Sequence, residues 1–159
     1  MKSVIIYSTY TGNTRKVGDL LADQLKQSQG VDIIELESLD EKSSFFSQAK
    51  RAFWHKRAVI QSVNFDLGPF ELICLGTPVW AFGPTPAMNT YLDKCFGVEH
   101  KRVIVFTTYG SGAGNTRCLN YMEKMMLRKG AAKVSRFSVQ QLKVEDREFV
   151  LSRIKEALV

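Results

Sequence analysis

The sequence predicts a three-layer α/β sandwich built on a five-stranded parallel sheet, and three observations carry that prediction. Short apolar runs alternate with amphipathic stretches from end to end, a βα repeat whose crossover helices cover both faces of a parallel sheet. The run from Phe70 to Gly76 is continuously apolar around Leu72-Ile73-Cys74-Leu75 rather than alternating, as a strand covered on both faces should be. The chain has 159 residues and shows no Pro/Ser-rich linker, repeat or low-complexity segment, so one domain over residues 1–159 is expected.

Taken in order, Lys2 to Tyr7 reads as the first strand, followed by a helix from Asn13 to about Ser28. That helix places Val17, Leu20, Leu21 and Leu25 at helical spacing, and Gly30 stops it. Val31 to Leu36 is the second strand and Phe70 to Gly76 the third. Pro86 to about Phe96 is a helix, Arg102 to Thr108 the fourth strand, and Asn115 to Lys129 a helix closed by Gly130. Lys133 to Val139 is the fifth strand, and Val144 to Leu158 a last helix carrying Phe149, Leu151, Ile154 and Leu158. Five such strands fit the order 2-1-3-4-5, whose switch point lies between the first and third. Ligands then sit outside the carboxyl ends of the strands, at the loops after Tyr7, Gly76 and Thr108.

The segment from Glu37 to Pro69 breaks the pattern. Ser43 or Ser44 can cap a helix to about Arg57 with Phe46, Ala49, Phe53 and Trp54 on one side and Lys50, Arg51, Lys56 and Arg57 making it basic. It reads either as a crossover helix with a solvated cationic face or as a docking face for an acidic partner or an anionic surface.

Composition is ordinary, with 45% hydrophobic and 24% charged residues. No stretch approaches the ~20 apolar residues of a membrane helix, so no transmembrane segment is expected. The chain enters a strand at once, which argues against a secretory signal and makes cytoplasm the expected compartment. Cys74, Cys95 and Cys118 form no Cys-x-x-Cys pair and no metal-ligand spacing with His55 or His100, so no metal site is expected. Cys74 reads as a buried strand residue. The net charge of +6 is compatible with anionic partners, but no nucleic-acid-binding motif accompanies it, and no nucleic acid is expected.

The chemistry lies in three loops. Ser8-Thr9-Tyr10-Thr11-Gly12-Asn13-Thr14 sits where the first strand ends and the first helix begins, and a helix start with unpaired N–H groups attracts a phosphate. Thr77-Pro78-Val79-Trp80-Ala81-Phe82-Gly83-Pro84-Thr85-Pro86 is stiff and aromatic, suited to covering a flat ring or to anchoring the loop on the core. Tyr109-Gly110-Ser111-Gly112-Ala113-Gly114 has three glycines that let backbone groups approach a ligand. Together they argue for a phosphorylated planar heterocycle. A Walker loop, a full dinucleotide fingerprint, the acidic residues of a receiver domain and a Cys-x5-Arg phosphatase loop after the first strand are all missing.

Ser8 to Thr14 resembles the phosphate loop of flavodoxins, and Gly76-Thr77-Pro78-Val79-Trp80 resembles the flavin-covering loop of the wider flavodoxin family. The resemblance covers essentially the whole chain and is to the short form, because the fifth strand carries no long insertion. It implies FMN as cofactor, with Ser8, Thr9, Tyr10, Thr11, Gly12, Asn13 and Thr14 around its phosphate. It also implies that Thr77, Pro78, Val79, Trp80 and Ala81 line the ring with Trp80 against one face, and that Thr108, Tyr109, Gly110, Ser111 and Gly112 border the other face and the pyrimidine edge. No catalytic side chain is implied, since the flavin supplies the chemistry. The function implied is electron transfer between redox partner proteins. The alternative is an NAD(P)H-dependent quinone or flavin reductase of the same fold. Carriers of this family are usually acidic and this chain is basic, so partners with acidic faces are expected.

Overall fold

The computed structural model describes residues 1–39 and 57–159. Its strands are β1 (Lys2–Ser8), β2 (Gly30–Leu36), β3 (Leu72–Pro78), β4 (Arg102–Tyr109) and β5 (Lys133–Gln140). Its helices, among the described residues, are α1 (Asn13–Lys26), α2 (Pro86–Lys94), α3 (Asn115–Arg128) and α4 (Arg147–Leu158). The sheet runs β2-β1-β3-β4-β5, all neighbours parallel, in the expected order. The basic helix expected up to Arg57 falls almost wholly outside the described residues. Arg57 itself is ion-paired with Asp93 of α2.

Side chains alternate across each strand with period two, which splits the core into two layers. Val4 and Ile6 of β1, Ile73 and Leu75 of β3, and Val103 and Val105 of β4 meet Met88 and Leu92 of α2 and Met122 and Met126 of α3. Ile5, Cys74, Ile104 and Phe106 face the other way, against Val17 and Leu21 of α1 and Val150 and Ile154 of α4. All these residues are buried. Covered on both faces, the central strands have no solvated side and need no polar alternation.

The differences from expectation lie at element ends. β3 spans Leu72–Pro78 rather than Phe70–Gly76, because Val79 N–H still donates to Thr108 O and so carries the ladder two residues further. α2 stops at Lys94: Cys95 turns extended, and Phe96 N–H donates to Phe65 O. The last helix starts at Arg147, not Val144, because Gln141–Lys143 forms a 3-10 turn and Asp146 caps α4 by accepting from Phe149 N–H at 3.1 Å. Among the described residues, no helix is long and apolar enough to cross a membrane.

Candidate functional site

The three loops singled out in the sequence meet at the carboxyl end of the sheet. Gly12 caps the start of α1 in the left-handed region at φ +87°, and no side chain caps that helix. The N–H groups of its first turn therefore face outward for an external acceptor. Thr9 closes the loop, its Oγ1 accepting from Gly12 N–H at 3.1 Å.

Beneath the loops, buried hydroxyls tie helix starts to strand ends. Thr14, in the first turn of α1, bonds the Thr108 hydroxyl at the end of β4, Oγ1 to Oγ1 at 2.8 Å. Thr85, which caps α2 by accepting from Met88 N–H, bonds Ser8 Oγ of β1 at 2.6 Å. Thr77 Oγ1 of β3 accepts from Thr85 N–H at 3.1 Å. Asn115, the first residue of α3, accepts from the Thr107 hydroxyl at 2.5 Å and donates to Ser138 Oγ of β5 at 3.1 Å. Bonds of this kind satisfy polar groups that burial would otherwise penalise. They also hold three helix starts in fixed positions around the site.

Above this layer lies a cleft of about 300 Å3. Tyr10, Thr11 and Asn13 line it from the first loop, Pro78, Val79 and Trp80 from the second, and Thr108 and Gly110 from β4 and the third. Gln141, from the turn after β5, completes the lining; no motif pointed to it, and only the fold brings it there. The lining holds no Asp, Glu, Lys, Arg or His. Trp80 is 8% exposed and meets the half-exposed Tyr10 edge to face, ring centroids 5.1 Å apart at 76°. A second cleft of about 460 Å3 lies between the first loop and the end of β2 and is lined by Thr9, Tyr10, Thr11, Gly12, Arg15, Glu35, Leu36 and Glu37.

The expected site residues thus separate. Tyr10, Thr11, Asn13, Pro78, Val79, Trp80, Thr108 and Gly110 share the first cleft, whereas Thr9 and Gly12 line the second. Ser8, Thr14 and Thr77 are buried with their hydroxyls turned into the layer below. Ala81 sits in a tight turn in which Trp80 and Gly83 exchange N–H···O bonds of 2.9 Å, with Ala81 at φ 44° and Phe82 at φ 69°. Tyr109, Ser111 and Gly112 stand beside the cleft without lining it, and the Tyr109 ring packs near Gly112. In the aromatic loop, Trp80 lines the cleft, while Phe82, 42% exposed, packs beside Gly114.

Beside the first loop, Arg15 and Glu35 neutralise one another. Arg15 grips Glu35 with two bonds, Nε to Oε2 at 2.8 Å and Nη2 to Oε1 at 2.5 Å, and the Tyr7 hydroxyl donates to Glu35 Oε2 at 3.1 Å. The Arg15 bonds hold the Glu35 carboxyl below its ordinary range, and burial beside that carboxylate pushes the Tyr7 phenol up to about 12. Burial likewise pushes all three thiols up, which leaves Cys74, Cys95 and Cys118 inert.

Residues 1–142 match the model of the NADPH-dependent FMN reductase family. A flavoprotein from Lactobacillus acidophilus solved in complex with FMN superposes with a TM-score of 0.70 at 19% identity, covering 92% of this chain and 98% of that one. The apo form of EMOB, an NADH:FMN oxidoreductase, gives 0.67 at 16% identity over 99% of this chain and 87% of its own. Oxidised Flavodoxin 1 from Bacillus cereus gives 0.62 at 18% identity over 98% of both chains. At these identities the structural likeness is one of fold, and the fold is flavodoxin-like.

Proposed function

The chain belongs to the NADPH-dependent FMN reductase family, and from that premise we propose that it is an FMN-containing reductase. It takes a hydride from a reduced pyridine nucleotide and passes on its two electrons and proton, with a second proton from solvent, to a quinone or a free flavin. The family membership reverses the order suggested by the loops alone, which placed electron carriage first.

The residues fit the cofactor. An uncapped helix start behind Gly12 suits a phosphate, and the uncharged cleft walled by Trp80, Pro78 and Val79 suits a planar ring. In this reading the backbone N–H groups of Thr11, Asn13 and Thr14 hold the phosphate, while Tyr10, Pro78, Val79, Trp80, Thr108 and Gly110 position the ring. Thr9 supports the loop from behind. Ser8, Thr14 and Thr77 act through the hydroxyl layer, and Ala81, Tyr109, Ser111 and Gly112 shape the rim. When bound, FMN supplies the hydride-accepting and electron-donating chemistry. The protein contributes placement, exclusion of water from the buried side, and an environment without a general acid or base.

The observation that carries the proposal is the convergence of all three loops on one uncharged cleft in a chain of this family. Anaerobic mixing of the purified, FMN-loaded protein with NADH or NADPH tests it, and rapid bleaching of flavin absorbance is expected. No bleaching by either nucleotide would overturn it and leave the second reading, carriage between proteins. That reading is favoured by Tyr10, 54% exposed at the cleft. The net charge of +6 supports partners with acidic faces for such carriage.

A further inference from the structure

The carboxamide of Gln141 enters the cleft from the 3-10 turn after β5, an element with no recognised role in the site. It lies over Gly110. A Cβ built on Gly110 would stand 3.3 Å from Gln141 Nε2, 3.7 Å from Cδ and 4.0 Å from Oε1, so the amide occupies space that a side chain at 110 would contest. The preceding residue fixes that backbone from the other side, Gln140 Nε2 donating to Gly110 O at 3.0 Å. The two glutamines therefore divide the work: Gln140 holds the loop, and Gln141 presents an amide to the cleft.

That amide has spare hydrogen-bonding capacity. Among the described residues none bonds the Gln141 carboxamide, and the residue is exposed to solvent. Thr108, which lines the same cleft, already bonds Thr14. A carboxamide offers one N–H donor pair and one acceptor side by side, and this pattern complements a ligand edge on which C=O and N–H alternate. It does so without adding charge to an uncharged cleft.

We propose that Gln141 is a binding residue for the imide edge of the bound ring, Nε2 donating to a ring carbonyl and Oε1 accepting from the imide N–H. The inference rests on the FMN reading above and assigns to the β5 turn a share of cofactor recognition. It accounts for Gly110 as the residue that makes room for the amide, and for Gln140 as the clamp that keeps Gly110 in place.

The test uses the full chain freed of flavin, titrated with FMN and with its N3-methyl derivative, which lacks the imide proton. Gln141→Leu should weaken FMN about 3- to 10-fold, the range of one neutral hydrogen bond. The unsubstituted protein should bind N3-methyl-FMN more weakly than FMN, whereas Gln141→Leu should not distinguish the two. Gln141→Glu, placing a carboxylate at the ring edge, should lower the flavin midpoint potential at pH 8, with the difference closing as the pH approaches the carboxylate range. The thermal midpoint of the flavin-free protein should not move in either variant, because the amide bonds nothing else. Equal FMN affinity for both proteins, an N3-methyl penalty of the same size in both, or an unchanged potential in Gln141→Glu would overturn the proposal. Failure of the unsubstituted chain to bind FMN at all would instead overturn the FMN reading on which it stands.

Discussion

The hydroxyl pair Thr14–Thr108 shows how one residue can serve the site without facing it. Both side chains are at most 3% exposed, and their 2.8 Å bond joins the first turn of α1 to the end of β4. Thr108→Val keeps the shape but leaves the Thr14 hydroxyl buried without that bond, and should cost about 1–3 kcal/mol. Adding Thr14→Val should recover part of this loss, since both polar partners are then gone. Urea denaturation of the two single variants and the double checks it, and strictly additive losses would show that the bond is not the source. The sequence marked both threonines as part of the site. It could not show that their hydroxyls turn toward each other, because a pairing 94 residues apart exists only once β1, β3 and β4 lie side by side.

At the scale of an element, the turn Trp80–Gly83 carries the aromatic wall of the cleft. Two-residue turns with both central residues left-handed favour Asn and Gly, yet this one holds Ala81 at φ 44° and Phe82 at φ 69°. Each such placement costs on the order of 1 kcal/mol. The turn persists because Phe82 packs on the backbone of Gly114, where a Cβ would come within 2.3 Å of Phe82 Cδ1. Ala81→Gly should therefore stabilise the protein by about 0.5–1 kcal/mol, while Gly114→Ala should destabilise it by about 2–3 kcal/mol. Chemical denaturation measures both, and a destabilising Ala81→Gly would show that the turn is not strained. Turn residues usually announce themselves, and this turn does not, since neither central position carries Gly or Asn. The start of α4 is the converse: Asp146 three residues before Phe149 was a readable cap, but the apolar period beginning at Val144 drew the expected boundary upstream.

Across the whole molecule, the contacts of Tyr7 give stability a pH dependence of definite sign. Its phenol, at 3% exposure and bonded to Glu35, is raised to about 12 in the folded chain, against about 10 for a free tyrosine. Between these values the unfolded chain loses the proton that the native chain keeps, so rising pH favours unfolding. The contribution is intact below pH 10 and is lost as the pH climbs from about 10 toward about 12. Tyr7→Phe should flatten the fall in urea midpoint over that interval, and an unchanged slope would sink the assignment. The exposed ion pairs, such as Lys2–Asp32 and Arg153–Glu156, should matter little to the same curve, because solvent screens them.

The sequence by itself determined the fold class, the places of the strands and the three loops of the candidate site. Each is written in local periods and helix-start chemistry that a short stretch of chain decides alone. Only the tertiary structure decided which of those loop residues face the cleft. It turned Ser8, Thr14 and Thr77 inward, Ser8 and Thr77 to bond Thr85 and Thr14 to bond Thr108, because a buried hydroxyl must find a partner wherever the packed strands place one. It also brought Gln141 into the cleft from beyond the fifth strand, across a separation that no local pattern spans.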